Sequence, residues 1–120
     1  MAQSDSQDER TIVSLRELQQ TVRGFAEVRN WLRFHNPRNV AEAIVVEAAE
    51  LLECFQWRSD DNCLRENLDD STVQAIQSEL ADVLIYALNL ANALNIDAGE
   101  VIQSKLDQNA IRFPLLPSDE

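Results

Sequence analysis

Glycine occurs twice and proline three times in this 120-residue chain, so it has almost none of the turn chemistry that a sheet protein uses at its hairpins. An all-β fold is excluded on that ground. Its two cysteines, Cys54 and Cys63, are too few for a disulfide framework, and no basic stretch followed by an apolar run opens the chain, so a reducing, cytoplasmic location is expected. His35 is the only histidine and Lys105 the only lysine, which leaves neither H-x-x-H spacing for zinc nor a lysine-rich stripe. No window approaches the roughly 20 uncharged apolar residues of a bilayer span. Residues 83–94 come nearest, but Asp82 and Asp97 bound them, and they read as a buried core helix. No membrane partner is expected.

Positive charge is also scarce. Ten bases stand against 21 acids, a net charge of -11 with an isoelectric point near 4.4, which argues against binding a nucleic-acid backbone by charge neutralisation. The acids are unevenly placed. Residues 1–10 carry -2, residues 60–70 carry -4, and Asp119 with Glu120 adds -2, so eight of the eleven surplus charges lie in the two ends and one central connector.

With 45% hydrophobic residues, the chain is long enough for one core and too short for two. Its apolar residues recur at helical spacing, and four main helices in an all-α bundle are expected. Ser14 with Glu17 forms a capping-box pattern opening a first helix that Asn36-Pro37 must end. Asn39 caps a second helix running to about Arg58. Ser71 with Gln74 opens a third, to about Asn95, and Asp97 with Glu100 a fourth, which Pro114 terminates. Residues 13–114 form the domain, 1–12 and 115–120 are flexible tails, and 59–70 is an acidic connector with one short helical turn.

Acid pairs three apart number six where chance gives roughly four, so counting alone decides nothing. Context decides. On a helical projection with Glu47 at the origin, Val40, Leu51, Ile44, Phe55 and Ala48 fall between about 20° and 100°, with Glu50 just across the edge. With Glu79 at the origin, Leu90, Val83, Ile76, Leu94, Ala87 and Leu80 fill the same sector, and Asp82 takes the place of Glu50. Joining the two stripes antiparallel brings Glu47, Glu50, Glu79 and Asp82 together. Four carboxylates in a partly dehydrated cluster repel one another, so either their pKa values rise or a cation neutralises them. An all-oxygen set suits Mg²⁺, or Mn²⁺. The alternative is that these acids are solvated faces of acidic helices.

Trp57, Tyr86 and Asn89 project within about 80° of the carboxylate edge, and Trp31, Phe34 and His35 end the first helix. Tryptophans beside a metal–carboxylate site suit a flat ring such as a nucleobase, although core packing also explains either one alone. Lys105, Asn109 and Arg112 form a one-sided polar row on the fourth helix, able to hold phosphate oxygens or to serve as ordinary surface. His35 reads as a base contact or a cap of the first helix rather than a metal ligand.

At these residues the chain resembles a known family, the all-α nucleoside triphosphate pyrophosphatases of the MazG type, in the branch typified by dCTP pyrophosphatase. The resemblance spans residues 25–114. It is carried by Phe25-Ala26, Arg29, Trp31 and the run Phe34-His35-Asn36-Pro37-Arg38-Asn39, then by Glu47-Ala48-Ala49-Glu50-Leu51 and Phe55-Gln56-Trp57. Glu79-Leu80-Ala81-Asp82-Val83-Leu84-Ile85-Tyr86 follows, and Lys105, Asn109, Arg112, Phe113 and Pro114 close it. The resemblance implies Mg²⁺-dependent hydrolysis of a nucleoside triphosphate to the monophosphate and pyrophosphate, with Glu47, Glu50, Glu79 and Asp82 holding the metal. Trp31, His35 and Trp57 would border the base, and Tyr86, Lys105, Asn109 and Arg112 would face sugar or phosphates. It also implies a homotetramer, a dimer of dimers, whose pockets are completed by another subunit. Three positions depart from the family pattern: Val46 and Ala49 stand where glycine is common, and Phe113 where tyrosine is.

Within that expectation the protein supplies position and charge, and Glu53, one turn beyond Glu50, is the candidate base for the attacking water. Glu53 reads equally as a solvated third member of its run. A diiron carboxylate bundle is disfavoured because no histidine follows a glutamate by three. The remaining alternative is a non-catalytic nucleotide-binding or interaction module of the same fold.

Overall fold

The structure is a computed structural model, and it describes residues 13–117. Among these residues it is all-α: helices α1 (Leu15–Val28), α2 (Pro37–Glu53), α3 (Asp70–Ala93) and α4 (Ala98–Arg112), with 3₁₀ turns at Leu32–Phe34, Asp61–Cys63 and Arg65–Asn67. The expected tails fall largely outside the described residues; Leu115 and Leu116 follow α4 outside any helix.

The start signals of α1 and α4 hold as read. Ser14 Oγ accepts from the Glu17 amide at 3.1 Å, and Asp97 Oδ1 accepts from the Glu100 amide at 3.0 Å, so each side chain satisfies one of the free donors of a first turn. The other two caps lie earlier than the spacing suggests. Asn36, not Asn39, caps α2, accepting from the Arg38 amide with Pro37 in the first turn, where proline has no amide to waste. Asp69, not Ser71, caps α3 through the Thr72 amide at 2.8 Å, and the Ser71 hydroxyl donates to the same carboxylate.

α1 ends eight residues before the Asn36-Pro37 break. Asn30 adopts a left-handed conformation with φ 57°. Its amide donates to Glu27 O, and that of Trp31 donates to Ala26 O, the paired bonds of a Schellman stop. Asn95, φ 55°, ends α3 in the same way, with the Ile96 amide donating to Ala91 O. α2 stops at Glu53 rather than Arg58; residues 54–57 continue as tight turns and finish at Trp57, also left-handed, φ 64°. The connector holds two 3₁₀ turns rather than one, pinned where Asn67 Nδ2 donates to Asp61 O and Arg58 donates to Asn62 O and Thr72 Oγ1.

α2 and α3 form the main helix pair, and α1 packs on α3 and α4. The core is small: Ala26, Val40, Leu88, Ala91 and Ala98 are its buried hydrophobic residues. α3 is buried on one side only, contrary to a fully buried core helix, with Leu84 and Ile85 exposed. The apolar stripes differ in the same sense, since Leu51, Ile44, Leu90 and Val83 are half-buried while Ala48, Ala87, Leu80 and Leu94 face outward. No helix among the described residues is long and apolar enough to cross a membrane.

Candidate functional site

The antiparallel α2–α3 pair brings one carboxylate oxygen each from Glu47, Glu50 and Glu79 within 4.8 Å of one another. Asp82 stands one turn beyond Glu79, outside that distance, yet its negative charge acts on both Glu47 and Glu79. Burial is the largest cause pushing the Glu47 carboxyl above its ordinary range, followed by its contact with Glu50 and repulsion from Glu50, Asp82 and Glu79. Burial and Glu50 raise Glu79 in the same way. Glu47 Oε2 and Glu79 Oε2 are buried without any hydrogen-bond partner. Two orphaned oxygens in a cluster of acids are an unsolved electrostatic problem for the protein alone, and the donors on hand are all hard oxygens. This set fits a divalent cation of the Mg²⁺ or Mn²⁺ class. Glu53 is the last residue of α2, exposed and outside the group of three.

Next to the carboxylates lies a cavity of about 700 Å³ between α1, the loop after it and α3. Trp31, His35, Asp82, Tyr86 and Asn89 line it, together with Thr21, Val22 and Phe25 of α1. Trp31 is held edge-on to Phe25 with ring centroids 5.7 Å apart. The Arg29 guanidinium sits 3.4 Å above the Phe25 ring and donates to Phe25 O, so three residues brace the aromatic wall. His35 is half-buried and closes the Leu32–Phe34 turn through its own amide. It cannot cap α1, which ends at Val28 with Arg29 as its C-cap.

The other residues marked from sequence stand apart. Trp57 is 99% exposed and does not line the cavity beside the carboxylates, because the left turn that ends α2 swings it off the helical projection. Lys105, Asn109 and Arg112 lie on α4, whose principal contact is α1, and they do not line the cavity beside the carboxylates. Thr21, Val22 and Phe25 are lining residues that the sequence does not single out as site residues. Their only signal is the position of the apolar face of α1, and which neighbour that face meets is a tertiary fact.

The model of the MazG-like family matches residues 43–120. The chain is 42% identical over 91 residues to dCTP pyrophosphatase 1 of Mus musculus, covering 76% of this chain and 54% of that protein. It is 41% identical over 90 residues to dCTP pyrophosphatase 1 of Homo sapiens, covering 75% and 53%. It thus spans about half the length of these curated relatives. A crystal structure of a pyrophosphatase from Archaeoglobus fulgidus superimposes with a TM-score of 0.74 at 40% identity, covering 82% of this chain and 91% of that one. The paired acidic helices, their orphaned oxygens and the adjoining aromatic cavity thus occur in a chain that belongs to the MazG-like family.

Proposed function

We propose that this protein hydrolyses (deoxy)nucleoside triphosphates between the α- and β-phosphates in a Mg²⁺-dependent reaction, releasing the monophosphate and pyrophosphate, with dCTP or a modified cytosine nucleotide as favoured substrate. Such an activity would clear unwanted nucleotides from the cytoplasmic pool. The observation that carries the reading is the carboxylate cluster with two unsatisfied buried oxygens, set against a cavity walled by Trp31 and Phe25. Relatives named for dCTP pyrophosphatase activity at about 40% identity support it.

Glu47, Glu50, Glu79 and Asp82 would hold the metal, which when bound supplies charge neutralisation and Lewis-acid polarisation of phosphoryl oxygens. Glu53 would position the attacking water from the exposed end of α2. Trp31 and His35 would hold the base and Tyr86 the sugar. Trp57, Lys105, Asn109 and Arg112 lie outside the cavity of their own chain, so their part in binding base and phosphates requires an assembly in which a second copy brings them in. A homotetramer built as a dimer of dimers meets that need. The domain of residues 13–114 would carry all these groups.

The test is a panel of nucleoside triphosphates with and without Mg²⁺, read by pyrophosphate release. Release that needs the metal is expected, and Glu50→Gln and Asp82→Asn should each abolish it with helix content unchanged by circular dichroism. Full activity in both variants would remove these residues from the site. Nucleotide binding without release in the wild type would favour a non-catalytic nucleotide-binding module of the same fold.

A further inference from the structure

We propose that Asn89 reads the base: its carboxamide pairs with a nucleobase edge that carries an exocyclic amino group beside a ring-nitrogen acceptor, which among the pyrimidines is cytosine. This rests on the reading of the cavity as a nucleotide site. Asn89 is only 8% exposed and lines that cavity from α3, and its Oδ1 is buried with no hydrogen-bond partner. A buried amide oxygen without a donor costs free energy and needs an explanation. Helix propensity does not supply one, since asparagine is a poor helix former.

Its neighbour shows the contrast. Asn92, one turn on, exchanges hydrogen bonds with Gln19, accepting from Nε2 and donating to the backbone carbonyl. The Asn89 carboxamide has no such partner among the described residues. It stands on the cavity wall two turns from Asp82, about 10 Å along the helix, a reach comparable to one nucleotide from phosphate to base edge. Tyr86 lies between them on the same wall, where a sugar would sit.

The carboxamide offers one acceptor and a donor side by side. With Oδ1 innermost, its complement is an amino group at the oxygen and an unprotonated ring nitrogen at Nδ2, which cytosine presents. Uracil and thymine present the reverse pattern, a carbonyl and a ring N–H. A bidentate amide–base pair discriminates by about 10- to 100-fold.

Calorimetric titration with dCMP and dUMP tests this without any turnover. The wild type should bind dCMP at least about 10-fold more tightly. Asn89→Leu, similar in volume but unable to hydrogen-bond, should bring the ratio near one, and Asn89→Ala should do the same if the leucine variant folds poorly. Equal affinities in the wild type, a ratio that survives in a folded variant, or no binding of either nucleotide would overturn the proposal. So would a change in assembly mass by sedimentation with the ratio intact, since Asn89 would then serve an interface. A wild type that prefers dCMP but releases no pyrophosphate from any triphosphate would end the hydrolytic reading and leave the role of Asn89 standing.

Discussion

Gln19 joins three helices through one side chain. Its Nε2 donates to Asn92 Oδ1 at 3.0 Å and to Ile96 O at 2.8 Å, and its Oε1 accepts from the Ala98 amide at 3.0 Å. The last bond satisfies a free donor in the first turn of α4, so the junction of α1, α3 and α4 depends on a polar group that hydrophobic patterning passes over. Gln19→Ala should destabilise the chain by about 2 kcal/mol, at about 1 kcal/mol or less per lost bond, measurable by urea unfolding. Trp57 poses the opposite case. A tryptophan at φ 64° that touches nothing holds strain of about 1–2 kcal/mol without a compensating contact in its own chain. Trp57→Gly should relieve the backbone while raising KM for the triphosphate with kcat little changed; an unchanged KM across the nucleotide panel would take that ring out of base binding.

The helix ends divide into those written in the chain and those decided by a single dihedral. Capping boxes at Ser14 and Asp97 were legible because two residues at a fixed spacing satisfy each other. The stop at Asn30 was not, since the apolar rhythm runs on through Trp31 and Phe34 and only one asparagine signals the left-handed turn. Replacing Asn30 by alanine should cost about 1 kcal/mol, read as a lower unfolding midpoint, while Asn30→Gly should be tolerated. The α1–α4 contact carries its own pH dependence. Arg16 Nη2 lies 2.7 Å from Asp97 Oδ2 and 3.6 Å from Glu100. The Glu100 backbone amide and then the Arg16 hydrogen bond hold the Asp97 carboxyl below its ordinary value of 3.8. An acid depressed in the folded state binds protons more readily once unfolded. Its stabilisation is therefore present above pH 3.8 and is lost as pH falls through the lower folded value. Thermal midpoints should drop over that acid range, and Asp97→Asn should flatten the drop.

At the scale of the whole molecule, the described helices leave many large apolar side chains uncovered. Val45, Val46 and Leu52 on α2, Leu84 and Ile85 on α3, and Ile102, Leu106 and Ile111 on α4 are each more than two-fifths exposed. We infer that these side chains serve as an association surface. Self-association predicts an unfolding midpoint that rises with protein concentration, and Leu106→Glu should give a lighter species by sedimentation velocity with activity reduced where Lys105 and Arg112 act from a neighbouring copy. A wild type that sediments as a monomer at all concentrations would reject both the assembly and that completion of the pocket.

Sequence alone determined the helical class, two of the four caps and the convergence of Glu47, Glu50 and Glu79. Those features follow from local rules of spacing: a period of 3.6 residues, a cap three residues from its donor, and acids placed alike on two stripes that must meet. Only the tertiary structure decided where Trp57 points, that α1 walls the cavity with Thr21, Val22 and Phe25, and that Asn89 faces into it while Asn92 does not. These depend on a left-handed residue that breaks the helical projection and on which face of α1 meets α3, and no spacing along one chain segment encodes either. Tertiary structure also separated Lys105, Asn109 and Arg112 from the carboxylates, because α4 leans on α1 and leaves most of its apolar side uncovered.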